Sequence, residues 1–141
     1  DFDQVVAAVE AYQKKTRLFF SLHSLHNLAQ NGRVSKVTAA AVGVMNIRVL
    51  GTASEEGTLA PLTKARGDKR AAASLLELPL EAGYRGGKVR ITHVQNEAVA
   101  LEFAEHIRAA FPKADIRVSA SGGLCSYYAE KGSLLVGVET D

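Results

Sequence analysis

The chain has 141 residues, 47% of them hydrophobic and 23% charged, with 3 prolines and no tryptophan. That is enough chain for one unstapled core, and the composition excludes disordered, collagen-like and low-complexity classes. No window approaches the roughly 18 uncharged apolar residues of a membrane span, and the opening DFDQVV lacks both the basic and the apolar part of a signal peptide. A soluble, cytoplasmic domain is therefore expected, and the single cysteine, Cys125, excludes an internal disulfide framework. The net charge of +2 is too small for a nucleic-acid partner. It is unevenly spread: residues 33–70 hold seven basic side chains (Arg33, Lys36, Arg48, Lys64, Arg66, Lys69, Arg70) against three acids (Glu55, Glu56, Asp68).

Residues 3–15 place Val5, Val9 and Tyr12 on one stripe, with Asp3 early and Lys14 and Lys15 late, as the helix dipole prefers, so an amphipathic helix is expected. RLFFSLH (17–23) reads as a buried strand. SLHNLAQNG reads as a short helix with Ser24 as N-cap and Asn31-Gly32 as its stop. Ser35 is placed to cap a second short helix through KVTAAAVGV, whose alanines and Gly43 leave room for close approach. The runs 46–53 and 58–65, joined by Glu55-Glu56-Gly57, predict a hairpin, with Pro61 confining the second run to an edge or a bulge. Gly67-Asp68 opens a helix expected to stop at Pro79, and EAGYRGG (81–87) reads as a flexible loop between two packed halves. Beyond it come a strand (KVRITHV), a helix capped by Asn96 with Val99, Phe103, Ile107 and Phe111 on one stripe, a strand (DIRVSAS), a loop or short helix (GGLCSYYAEKG) and a closing strand (SLLVGVE). The fold class is α/β, a mixed and largely antiparallel sheet flanked by helices.

Candidate chemistry is sparse. His23 and His26 fall on different elements and have no third partner, which argues against a metal site. His93 ends a strand, His106 sits on a polar helix face, and Cys125 reads as a buried structural thiol. RGGK (85–88) and SGGLCS (121–126) do not match a P-loop or a dinucleotide fingerprint, although the second offers backbone N–H groups and the Ser126 hydroxyl at a strand end. The most informative stretch is QNGRVSKVTAAAVGVMNIRVL (30–50). It sets Arg33 on a glycine turn directly before a run of small and apolar residues, the pairing that a ligand with an anionic head and an oily tail requires.

The order SLHNLAQNGRVSKVTAAAVGVMNIRVL, then EEGTLAPLTKARGDKRA, resembles the C-terminal domain of DegV-family proteins, the fatty-acid-binding subunits of bacterial fatty acid kinase. The family's G-G-R-[IV]-S turn appears with Asn31 for the first glycine, and its K-x-R-G-x-x-K-A motif appears as Lys64, Arg66, Gly67, Lys69 or Arg70, and Ala71. ITHVQNEAVALEFAEHI is similar to the I-x-H-x-x-N segment. SASGGLCSYYAEKGSLLVG falls near the terminal G-P-V-I-G-x-H-x-G-P-G, with the histidine on or near Tyr127 and A-E-K-G where G-P-G would stand. The similarity spans roughly residues 22–137.

The resemblance implies a binding module without catalysis or cofactor of its own. It would hold a long-chain fatty acid and present its carboxylate to a partner kinase. Residues 1–16 would be a connector helix and 17–141 the lipid-binding domain, with the family's N-terminal carboxylate-binding domain absent from this chain. The implied lining is Phe20, Leu22, Val34, Val37, Ala40, Val44, Met45 and Ile47. The implied head-group or kinase-facing set is Arg33, Arg66, Ser126 and Tyr127. Two other classes stay open from the residues alone: a small-molecule or nucleotide-binding α/β domain using Ser126, Tyr127 and His93, and an interaction domain that has lost its lipid.

Overall fold

The structure, a computed structural model, describes residues 1–35, 40, 42 and 46–140. Eleven named elements are α1 (Phe2–Lys14), β1 (Thr16–Leu22), α2 (His26–Gln30), β2 (Ile47–Ala53), β3 (Leu59–Arg66), α3 (Asp68–Glu81), β4 (Lys88–His93), α4 (Glu97–Ala110), β5 (Asp115–Ala120), α5 (Gly123–Ala129) and β6 (Leu134–Glu139). The six strands form one sheet in the order β3-β2-β1-β6-β4-β5. Every neighbouring pair is antiparallel except β4 and β5, which run parallel with α4 as the crossover. The mixed, largely antiparallel sheet expected from the sequence is present. The two halves of the chain are not separate layers, because β1 pairs with β6 from Thr16↔Glu139 to Ser21↔Leu134.

Alternation along the central strands feeds two cores. On one face Phe19, Leu50, Val89, Ile91, Val136 and Val138 pack against Leu75 and Leu78 of α3 and Ala100, Phe103 and Ile107 of α4. On the other, Phe20, Leu22 and Val49 meet Leu25, Leu28, Val42 and Ala129. The hairpin is present as β2 and β3, and Pro61 sits both on an edge strand and beside a bulge. Leu50 faces Thr63 while Gly51 faces Pro61, so Leu62 is the extra residue.

Several local expectations are corrected. Helix α2 begins at His26 with Leu25 in the N-cap position. Ser24 still contributes, its Oγ accepting from His26 N at 3.1 Å. Asn96 occupies the N-cap of α4 without capping it; its amide donates to the Gly132 carbonyl at 2.8 Å. Pro79 does not stop α3, which continues to Glu81, because burial of Leu75, Leu78 and Pro79 together outweighs the loss of one N–H in the last turn. The 81–87 segment is pinned: Tyr84 is buried, stacks edge-on with Phe111 at 5.1 Å, and donates its hydroxyl to the Gly87 carbonyl at 3.1 Å. Cys125 is exposed, since α5 turns Ala129 inward and Cys125 outward. The helix expected through 36–44 lies outside the described residues apart from Ala40 and Val42, which are helical. Helix α1 forms, but none of its residues is buried: Phe2 is 78% exposed, and Tyr12 of the stripe meets Lys88 Nζ 5.0 Å from its ring centre. Among the described residues no helix is long and apolar enough to cross a membrane.

A polar knot ties α3 to the ends of β1 and β2. Asp68 accepts from Arg48 Nε at 2.9 Å and meets His23 Nε2 at 2.7 Å, while Arg48 itself is buried. Partial desolvation pushes the Asp68 carboxyl up, but hydrogen bonds and charge from His23 and Arg48 outweigh it and hold it below the usual carboxylate range. A carboxyl depressed in the folded state stabilises the fold above its unfolded pKa, and that stabilisation disappears as pH falls through the folded value. Asp68→Asn is expected to cost about 1 kcal/mol at neutral pH, discounted for the exposure of the carboxylate. It should also flatten the loss of stability between about pH 5 and 3. Chemical denaturation across that range checks both; an unchanged pH slope would contradict the assignment.

Candidate functional site

The second core is incomplete. Between its sheet face and the helices α2 and α5 lies an open cavity of about 620 Å³. Its floor is laid by strand register: Leu22, Val49 and Lys64 form one row across β1, β2 and β3, and Phe20, Gly51 and Pro61 form the next. Leu59, beyond the second row, carries the floor to the hairpin end with Thr58 and Gly57. Two residues per row at about 3.3 Å each make this floor roughly 13 Å long. Leu25, Leu28 and Val34 supply the wall from α2 and its following turn, and Tyr128 supplies it from α5.

The polar groups are few and sit at identifiable places. The Arg33 guanidinium lies 4.8 Å from the centre of the Tyr128 ring, a cation–π contact that joins the two walls. Gly32 makes the turn possible with φ +69, and Arg33 N closes onto the Leu28 carbonyl at 2.8 Å. Side chains fix α2 to α5: Glu130 Oε1 accepts from Asn27 N at 2.7 Å, Asn27 Nδ2 donates to the Tyr127 carbonyl at 2.7 Å, and Asn31 Nδ2 donates to the Tyr127 hydroxyl at 3.1 Å. Among the described residues no ion pair neutralises Arg33 or Lys64. The cavity therefore presents two cations, one phenol and the Thr58 hydroxyl on an otherwise apolar lining, an arrangement able to hold an amphiphile with an acidic head.

Of the residues singled out from the sequence, Phe20, Leu22, Arg33 and Val34 line this cavity. Ile47 and Ala40 are not among its lining side chains, and Val37, Val44 and Met45 lie outside the described residues. Arg66 is exposed at the end of β3, opposite Ile47. Ser126 is half-buried and donates to the Ser121 carbonyl at 3.2 Å; Tyr127 is exposed and engaged with Asn31. Sequence reasoning missed Tyr128, Lys64 and the floor residues Val49 and Pro61. Tyr128 was one helical position from Tyr127, and the alternation 20, 22 on β1 would have placed Val49 and Lys64 had the strand register been known.

A second apolar cavity, of about 200 Å³, opens between α3 and α4 beside Leu76, Leu80, Tyr84, Phe103, Ile107 and Phe111. It carries no Lys or Arg. His93 is buried and its Nδ1 accepts from Asn96 N at 3.3 Å, a structural role at the end of β4. Among the described residues no three His, Cys, Asp or Glu side chains gather as a metal site would require.

Comparison with known proteins adds the following. The sequence profile described as "Uncharacterised protein, DegV family" matches residues 1–141. A DegV domain-containing protein of Streptococcus pneumoniae is 46% identical over 140 residues, covering 99% of this chain and 50% of that protein. The chain thus spans about half the length of the curated relatives it matches. A DegV family protein from Eubacterium eligens, solved loaded with heptadecanoic acid, superimposes with a TM-score of 0.93 at 53% identity, over 100% of this chain and 51% of that one. The Streptococcus pneumoniae fatty acid kinase B3 protein, solved loaded with linoleic acid, superimposes with a TM-score of 0.96 at 46% identity, over 100% of this chain and 50% of that one. With a profile matching end to end and a sheet and helices that superimpose over their whole extent, this chain belongs to the DegV family.

Proposed function

We propose that this chain is the tail-holding domain of a fatty-acid-binding protein that presents an acyl carboxylate to a partner kinase. The observation that carries the reading is the 620 Å³ apolar cavity with Arg33, Lys64 and Tyr128 on its wall and floor. The fatty acids held by two solved relatives support the ligand class. Burying about a dozen methylenes at about 0.8 kcal/mol each supplies enough driving force to exceed the cost of ordering the chain. The cations then orient the molecule. A guanidinium suits a carboxylate because its donors form a fixed fork, which a lysine at the same place does not reproduce.

In this reading the chain itself transfers nothing. It solubilises the acid and exposes its head, and the kinase, a separate protein, supplies nucleotide, metal and phosphoryl-transfer machinery. Arg33 and Arg66 form the head-group or kinase-facing pair, together with Ser126 and Tyr127. Residues 1–16 serve as the connector to a further domain that contacts the carboxylate, and the assembly works in the cytoplasm. The exposed apolar stripe of α1 and the half-length match to relatives are what support a further domain.

Two outcomes follow. Purified protein, extracted with organic solvent and analysed by mass spectrometry, is expected to yield long-chain fatty acids. Val34→Trp, which fills the cavity from a half-buried wall position, should weaken their binding at least about tenfold while leaving the unfolding midpoint near that of the wild type. Unchanged affinity would remove the cavity from the account.

The arginines divide the labour differently. Arg33→Ala and Arg66→Ala, each carried in the longer parent protein, should lower acyl-phosphate production by the kinase while fatty acid affinity falls only a few-fold, because the tail holds most of the binding energy. Arg33→Lys should restore little. Separate measurements of lipid affinity and kinase turnover check this, and wild-type turnover in both alanine variants would return the two residues to ordinary surface.

A further inference from the structure

The floor of the cavity has one anomalous position. Gly51, in the second row of the floor, has no side chain, and it sits at the β2–β3 bulge opposite Pro61. A Cβ built there would lie 2.2 Å from the Ala60 carbonyl oxygen, 2.6 Å from Phe20 Cζ and 2.9 Å from Pro61 Cα. The tip of the Phe20 ring therefore does not stand up from β1 into the cavity. It reaches sideways across β2 into the notch that Gly51 leaves, between its own strand and Pro61 on β3. Phe20 is 1% exposed yet remains a lining residue, as expected for a ring laid along the floor.

We propose that the Phe20 ring, parked in the Gly51 notch, is the determinant of which acyl tails this cavity accepts. The proposal rests on the fatty-acid reading and adds a residue-level cause for its selectivity. The ring plugs a depression that would otherwise deepen the floor beneath the second row. Its position is set by three constraints independent of any ligand: the bulge that brings Pro61 opposite Gly51, the missing Cβ, and the β1–β2 register that places Phe20 beside Gly51. A tail crossing the floor meets a flat aromatic surface and must stay shallow there. Shrinking the ring opens room for a longer or more bent tail; restoring a Cβ at residue 51 lifts the ring into the cavity and shortens the usable floor.

The two substitutions thus shift selectivity in opposite directions, which a general loosening of the fold would not do. Phe20→Leu keeps an apolar side chain in the core and opens the notch. Gly51→Ala crowds the ring at 2.6 Å and also meets backbone, the Ala60 carbonyl oxygen at 2.2 Å and Pro61 Cα at 2.9 Å, so β3 must shift too and a clear loss of stability accompanies the change. The experiment measures equilibrium binding of a series of saturated straight-chain acids of increasing length, and of cis-unsaturated acids at matched length, to delipidated wild type and to each variant, with folding checked by thermal unfolding. Phe20→Leu should move the preference toward longer or cis-unsaturated acids by roughly fourfold for each methylene newly accommodated. Gly51→Ala should move it toward shorter ones. A folded Phe20→Leu protein whose ranking of the acids matches the wild type overturns the role given to Phe20 while leaving the fatty-acid reading intact. Wild type that binds none of the acids overturns that reading and the inference with it.

Discussion

Strand β1 must bury both of its faces, and the rest of the structure follows from that demand. Phe19 points into the core under α3 and α4, and Phe20, one residue on, points to the opposite side of the sheet. A strand flanked by β2 and β6 can satisfy its backbone on both edges, but two adjacent phenylalanines also need cover on two faces. The first face receives two long helices. Among the described residues the second is covered by the short α2 and α5 and by Val42, with an open cavity beside them. An apolar hollow of that size is the cost of under-covering one side of a sheet, and an apolar ligand is the natural way to fill it.

The electrostatics are sorted between the same two faces. Arg48 turns toward the helical face, where it is buried and neutralised by Asp68. On the other face Lys64, paired with Val49, and Arg33 on the cavity wall have no carboxylate to meet among the described residues. The basic excess of residues 33–70 is therefore not a uniform surface feature. Part of it is spent on a structural knot, and part is left available beside an apolar surface, the combination that discriminates an acidic amphiphile from a neutral one.

The local elements were legible because their signals are local. Pro61 lacks an N–H wherever the chain goes, so an edge and a bulge were readable, and the 99, 103, 107 stripe of α4 declares its buried side by spacing alone. What was not legible depends on partners far away in sequence. Nothing near Thr16 announces its pairing with Glu139, and Arg48 meets Asp68 only after the hairpin returns. The reading of Cys125 as buried failed because a seven-residue helix gives too few turns to define its inward side, and the same ambiguity hid Tyr128 behind Tyr127. Pro79 misled because a helix ending was inferred from backbone chemistry alone, whereas packing of Leu75 and Leu78 carried the helix past it.

The central claim is that the acyl tail lies on the sheet face opposite α3 and α4. Methyl NMR of the protein bound to a fatty acid carrying a nitroxide spin label on its tail tests it most directly. The account predicts broadening of the methyl signals of Leu22, Leu28, Val34 and Val49 that is much stronger than that of Leu76, Leu80 and Ile107. Broadening at Leu76, Leu80 and Ile107 instead would place the tail in the cavity between α3 and α4 and contradict the account.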